Sequence, residues 1–197
     1  MFKRLTTYFY VRVVKISDKL LCAPRRNVLN NKDFSIICNN CWAGFVYRRF
    51  GIPYLTPTVG LYFFAEDYIK LCSDIKGYME KSLQFISYNE SRYKDILEER
   101  KQTNVPIARL GDIEVVFLHY ATEEEAAEKW YRRVKRINYD NLIFKFSKMN
   151  YCTDEHLKQF DKFDFKKKIC FVPFGCSVDI KCGIVFKSSR EENVNND

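Results

Sequence analysis

Two cysteines in the spacing Cys38-x-x-Cys41 enclose a pair of asparagines and precede a tryptophan, within Ser35-Ile36-Ile37-Cys38-Asn39-Asn40-Cys41-Trp42. Three chemistries use such a junction. A structural zinc site takes four ligands, normally two tight pairs, and no second Cys or His pair accompanies this one. A redox pair at a strand-to-helix turn needs an exposed thiol with a lowered pKa, and Cys38 falls inside an apolar run. The third is a helix entrance: asparagine caps helices well, and the free amides of the first turn attract phosphate or carboxylate. Asn39, Asn40, Cys41 and Trp42 are therefore candidate substrate- or phosphate-binding residues, beside the plainer reading of a capped turn.

The chain has two histidines, His119 and His156. His119 follows the β-prone run Ile113–Leu118, where strand ends collect active-site groups. Asp112 and Glu114 flank the same segment and are candidates to orient it. The expectation is His119 as general base with Asp112 or Glu114 behind it. Asp140 and Asn141 open the next apolar run and join the candidate binding set, with Lys145 read as a solvated edge charge. No Walker loop, GxGxxG, GxSxG or HExxH is present, so nucleotide hydrolysis, hydride transfer and classical serine hydrolysis have no motif here. The sequence leaves the cofactor unspecified.

These residues need a frame. Phe34–Cys38 reads as a strand and Trp42–Phe50 as a helix stopped by Gly51 and Pro53. Pro53–Phe64 is a long loop whose aromatics Tyr54, Tyr62, Phe63 and Phe64 could form an exposed contact patch. Glu66–Met79 is helical and Leu83–Ile86 a short strand, with Glu90–Lys101 polar and helical or mobile. Ile107–Leu110 and Ile113–Leu118 around Gly111-Asp112 form a hairpin. Thr122 caps a helix running to about Asn138, acidic at its start and basic at its end. Leu142–Phe146 is a strand, Thr153–Phe160 a capped helix and Ile169–Val172 a further strand. Strands alternating with helices predict an α/β fold: a three-layer α/β/α sandwich with a mixed, largely parallel sheet, Rossmann-like.

A chain of 197 residues, 47% hydrophobic, can bury one sizeable core. The expected organisation is a basic amphipathic segment over 1–29, a single α/β domain over 30–187 and a polar tail over 188–197. The net charge of +8 is local: residues 1–50 hold ten Lys or Arg against Asp18 and Asp33, and the remainder is neutral. Phe2, Leu5, Phe9, Val13, Ile16 and Leu20 fall on one helical face. That helix either lies on an anionic membrane surface through residues 1–21 or docks on the domain, before a connector at Ala23–Asn27. No groove-reading or aromatic-basic platform accompanies the charge, which argues against a nucleic-acid partner. Eight cysteines in mostly apolar runs, with no signal-like leader, point to a reduced, cytoplasmic protein, peripheral at the inner face of the membrane if the basic helix engages lipid.

The stretches FSIICNNCWAGFVYRRFGIPYLTPTVGLYFFAEDYIKL, ARLGDIEVVFLHYATEEEAAEKWYRRVKRINYDNLIFKFS and CTDEHLKQFDKF resemble one bacterial family of domains of unknown function. Its members are often labelled exopolysaccharide or capsule biosynthesis proteins. The carrying motifs are Asn39-Asn40-Cys41, the G-x-P-x-x-x-P-x-x-G-L run from Gly51 to Leu61, His119-Tyr120, and Arg136 to Asn141. Ala43 departs from the pattern, which has glycine there. The resemblance implies a three-layer α/β fold and a role in surface-polysaccharide assembly. The expected function is a transferase-like enzyme on an activated sugar or lipid-linked glycan. The alternative is a non-catalytic accessory protein of the same machinery.

Overall fold

The computed structural model describes residues 16–17 and 20–186. Most of the N-terminal segment and the polar tail therefore lie outside the described residues. The chain forms two sheets. β1 (Ser35–Cys38), β5 (Leu142–Ser147), β6 (Lys168–Pro173) and β7 (Gly183–Phe186) make an all-parallel sheet in that order. β2 (Leu83–Ile86), β3 (Ile107–Leu110) and β4 (Ile113–Val116) make a separate antiparallel sheet. The α/β class is as the sequence predicts. The hairpin gains β2 as a third strand and stands apart from the parallel sheet, and Tyr62 of the preceding loop bridges to Val116 at its margin.

Both faces of the parallel sheet are covered around β1 and β5, which explains their apolar runs, while Ile184 and Val185 of β7 are exposed. On one face Tyr68 of α3 (Ala65–Ser73) stacks on Phe146 with ring centres 5.2 Å apart, and Phe160 of α7 (Asp154–Lys162) packs on the same ring. On the other, α2 (Trp42–Phe50) lies against β1. β1 is an edge strand, yet all four of its residues are buried. Side chains stand in for the missing neighbour. Ile36 N–H donates to the Tyr47 hydroxyl (3.0 Å), which donates to Phe34 O (2.9 Å). Thr58 Oγ1 accepts from Cys38 N–H (3.3 Å) and donates to Ile36 O (3.1 Å). Those bonds satisfy the open edge without another strand.

Several local expectations shift for identifiable reasons. Residues 20–27 are helical (α1) through Pro24, where the sequence suggests a connector; Arg26 Nη1 anchors the segment on Gly51 O at 2.9 Å. The helix expected over 66–79 is two, α3 and α4 (Ile75–Glu80), because Asp74 leaves helical geometry and caps Gly77 N–H at 3.0 Å. Within 90–101 there is a helix, α5 (Lys94–Glu99). α6 (Glu123–Val134) starts at Thr122, whose hydroxyl accepts from Glu125 N–H (3.2 Å), and ends before Asn138, which caps the following 3-10 turn. Tyr62, Phe63 and Phe64 are core residues, buried to within 5% of exposure, so the proposed aromatic contact patch does not exist. They turn inward because their backbone bridges β4 and the loop after β5. All eight cysteines are in the thiol form, outside any disulfide.

Candidate functional site

The parallel register sets the site. Cys38, the last residue of β1, pairs with Lys145, while β5 continues to Ser147. The Asn39 side chain takes over where β1 stops. Its Oδ1 accepts from Ser147 N–H (3.0 Å) and its Nδ2 donates to Ser147 O (3.1 Å). Asn39 is fully buried with these backbone partners, so it is structural.

Asn40 faces differently. Its Oδ1 accepts from Trp42 N–H (3.2 Å) and from Lys145 Nζ (3.0 Å). Its Nδ2 reaches Ser147 Oγ (3.5 Å) and Met149 Sδ (3.1 Å). Lys145 Nζ also bonds Ser147 Oγ. Lys145 and Ser147 are two apart in the strand and share a face. Lys145 is 1% exposed, with its ammonium 5.0 Å from the Phe171 ring centre and 5.7 Å from that of Trp42. Burial pushes its pKa down to about 8, against a smaller upward pull from the Cys38 and Cys170 thiols.

Beside these groups a cleft of about 610 Å³ opens at the carboxyl ends of β1 and β5, with Asn40 and Met149 in its wall and Lys145 and Ser147 behind them. Trp42, Phe45 and Tyr62 supply aromatic walls, Asn40, Gln102 and Asn150 supply amides, and Arg100 supplies a guanidinium. Arg100 Nη1 donates to Asn150 Oδ1 (2.9 Å), while its Nε–H is buried without a partner among the described residues. Asn150 and Tyr151 adopt left-handed backbone (φ 55° and 61°). Asparagine tolerates that region and tyrosine does not, so strain sits on the loop that forms the cleft wall.

The other expected residues are not assembled here. His119 is exposed and does not line the cleft, although its neighbour Leu118 does. Asp112 accepts from the Tyr78 hydroxyl (2.6 Å), which holds its carboxyl below the usual range. Glu114 is buried and taken up by Ser91 Oγ (2.6 Å), Arg92 and Arg109. Both carboxylates thus belong to the antiparallel sheet's own charge network and neither pairs with His119. Asp140 and Asn141 precede Leu142, which pairs with Ser35, so they lie at the opposite end of the sheet from Asn39–Trp42. There Asn141 ties Asp33 O (2.7 Å) to Lys167 Nζ (2.5 Å). The entrance of α2 has few amides left for an anion: Trp42 N–H goes to Asn40 and Gly44 N–H to Cys41 O. A close backbone approach occurs at Gly44, where a Cβ would come within 2.9 Å of Val59.

Lys145, Ser147, Met149, Asn150, Arg100 and Gln102 were not picked out by motif. The signal for Lys145 was a cation inside the apolar strand LIFKFS. In a parallel sheet covered on both faces, such a cation must be buried.

The family model for a domain of unknown function, DUF1919, matches residues 13–196. The chain belongs to the DUF1919 family. A Haemophilus influenzae relative, described as an uncharacterized protein, is 29% identical over 143 residues, which is 73% of this chain. The chain spans 63% of that relative's own length. Among the described residues of this DUF1919 protein, no helix is long and apolar enough to cross a membrane.

Proposed function

We propose that this DUF1919 protein is a transferase-like enzyme of surface-polysaccharide assembly, acting on an activated sugar or lipid-linked glycan held in the cleft. The observation that carries the reading is the lining: aromatic faces, side-chain amides and one guanidinium, grouped at the strand ends. Aromatic faces suit the C–H faces of a pyranose, and amides suit its hydroxyls. Arg100 suits the phosphate of an activated donor. The family labels associated with the Asn39–Cys41 and Gly51–Leu61 motifs support the polysaccharide setting. The basic excess of residues 1–50 would favour a place near anionic lipid, where such precursors are held.

The test is calorimetric binding of a panel of nucleotide sugars and polyprenyl-diphosphate sugars to the full chain. Phe45 is 55% exposed on the wall, so Phe45→Ala leaves the core intact. The expected result is binding by at least one panel member, weakened roughly tenfold in Phe45→Ala by loss of a stacking face. No binding across the panel, or binding indifferent to Phe45→Ala, would remove the cleft from this role.

A further inference from the structure

We propose that Ser147 is the nucleophile of an acyl transfer, with Lys145 as its base and the Asn40 side-chain amide as donor to the developing oxyanion. The substrate class is an O-acyl ester carried on a glycan, and that glycan element rests on the cleft reading above.

The geometry supplies each role. Ser147 is half-buried and its hydroxyl bonds Lys145 Nζ directly. Lys145 is held by two neutral oxygens, of Asn40 and Ser147, with no carboxylate among its hydrogen-bond partners. The titratable groups facing it are the Cys38 thiol of β1 and the Cys170 thiol of β6; Trp42 and Phe171 cover it, and Tyr68 of α3 bonds only its backbone carbonyl. A lysine in those surroundings can shed its proton near neutral pH and act as a base, as in serine–lysine catalysis. Asn40 lies on the cleft wall, and its Nδ2 protons are spent on a thioether and a long 3.5 Å contact. A substrate oxyanion is a better acceptor than either and can replace both. Glycoside hydrolysis draws on a pair of carboxylates. The amine and amide found here suit a tetrahedral oxyanion instead.

The step balances within these groups. Ser147 Oγ attacks the acyl carbonyl carbon while its proton passes to the Lys145 amine. The carbonyl π pair moves onto oxygen, where the Asn40 amide donates to it. Collapse breaks the bond to the leaving alcohol, which takes the proton from Lys145. An acceptor hydroxyl or water then gives its proton to Lys145 and attacks the acyl-serine, and Ser147 departs with that proton.

The experiment treats the full chain with an alkyl fluorophosphonate and locates the adduct by peptide mass mapping. One adduct is expected, on Ser147, with a labelling rate that rises through about pH 8 as the lysine deprotonates. Ser147→Ala should carry none. Lys145→Met should slow labelling roughly 100-fold or more. If that variant does not fold, Lys145→Arg keeps the hydrogen-bond donors, removes the titratable base and should lose labelling likewise. Folded wild-type protein with no adduct on Ser147 from about pH 6 to 10 overturns the proposal, as does labelling that ignores Lys145. Adduct formation in a protein that binds no member of the sugar panel would uphold the nucleophile and retire the glycan reading. Sugar binding without an adduct would do the reverse.

Discussion

Replacing Lys145 by methionine tests the buried amine through stability. Methionine has a similar length and no charge, so it fills the space between Trp42 and Phe171. Two hydrogen bonds go, each worth about 1 kcal/mol net. Asn40 Oδ1 keeps Trp42 N–H and Ser147 Oγ keeps the Asn40 amide, so neither oxygen is orphaned. Against that loss stands the cost of burying the ammonium. Lys145 falls from its ordinary 10.5 to about 8 on folding. At about 1.4 kcal/mol per unit, the folded chain carries a penalty of about 3 kcal/mol near pH 7, where both states are protonated.

The sign follows from proton counts. Between about pH 8 and 10.5 the unfolded chain binds more protons at this site than the folded one, so this site's contribution to stability rises with pH. Near pH 9.5 the folded lysine is neutral, the unfolded one is still mostly charged, and the penalty is down to about 1.4 kcal/mol. Wild type should therefore gain about 2 kcal/mol on Lys145→Met between about pH 7 and 9.5. Other titrating tyrosines and cysteines largely cancel in the difference between the two proteins. The assay is urea unfolding of both at the two pH values, with reductant present to keep the cysteines as thiols. A wild-type-minus-variant difference that stays constant across that range would refute a depressed Lys145, and with it the base assigned to Ser147.

Asn39→Ala should cost about 1–3 kcal/mol in the same assay, since it strands Ser147 N–H, while Ser147 O keeps Met149 N–H at 2.9 Å. Gly51 ends α2 at φ 61°, and a Cβ there would come within 2.9 Å of Cys22, so Gly51→Ala should lower stability by about 1–2 kcal/mol. Asp67 is fully buried against Arg92 (2.6 Å), and burial pushes its carboxyl up to about 6. Its folded pKa lies above the unfolded value, so its contribution to stability falls as pH rises from about 4 to 6; Asp67→Asn should gain up to about 3 kcal/mol on wild type across that window, read by parallel melts.

What could be read from the sequence were elements whose signals are local. Thr122 and Thr153 cap their helices through their own side chains, and Gly51 closes α2 by its backbone conformation. Gly111, at φ 67°, turns the hairpin where its sequence places it. Long-range pairing hid the rest. Tyr62 to Phe64 look like an exposed loop until the Tyr62–Val116 bridge and Asn150 draw them inward. Asp140-Asn141 and Asn39-Asn40 look alike as polar punctuation beside strands. Only the parallel register, Ser35 to Leu142 and Cys38 to Lys145, separates them to opposite ends of the sheet. The same register turns Lys145 from an edge charge into a buried one.

That register also explains why chemistry gathers at this point. β1 stops at the partner of Lys145, two positions short of Ser147, and the amide of Asn39 completes the ladder in its place. Because Asn39 does the structural work, Asn40 need not. Its oxygen both caps α2 and receives the lysine, and its nitrogen is left facing weak acceptors at the cleft wall. Adjacent asparagines thus divide into one that fixes the position of the Ser147 backbone and one that faces its side chain. The division makes their substitutions separable. Asn39→Ala should act on unfolding free energy, while a change at Asn40 should fall on the reactivity of Ser147, since no strand hydrogen bond depends on it. Equal effects of the two on both properties would mean that the amides form one structural unit and that the cleft floor is only a sheet end.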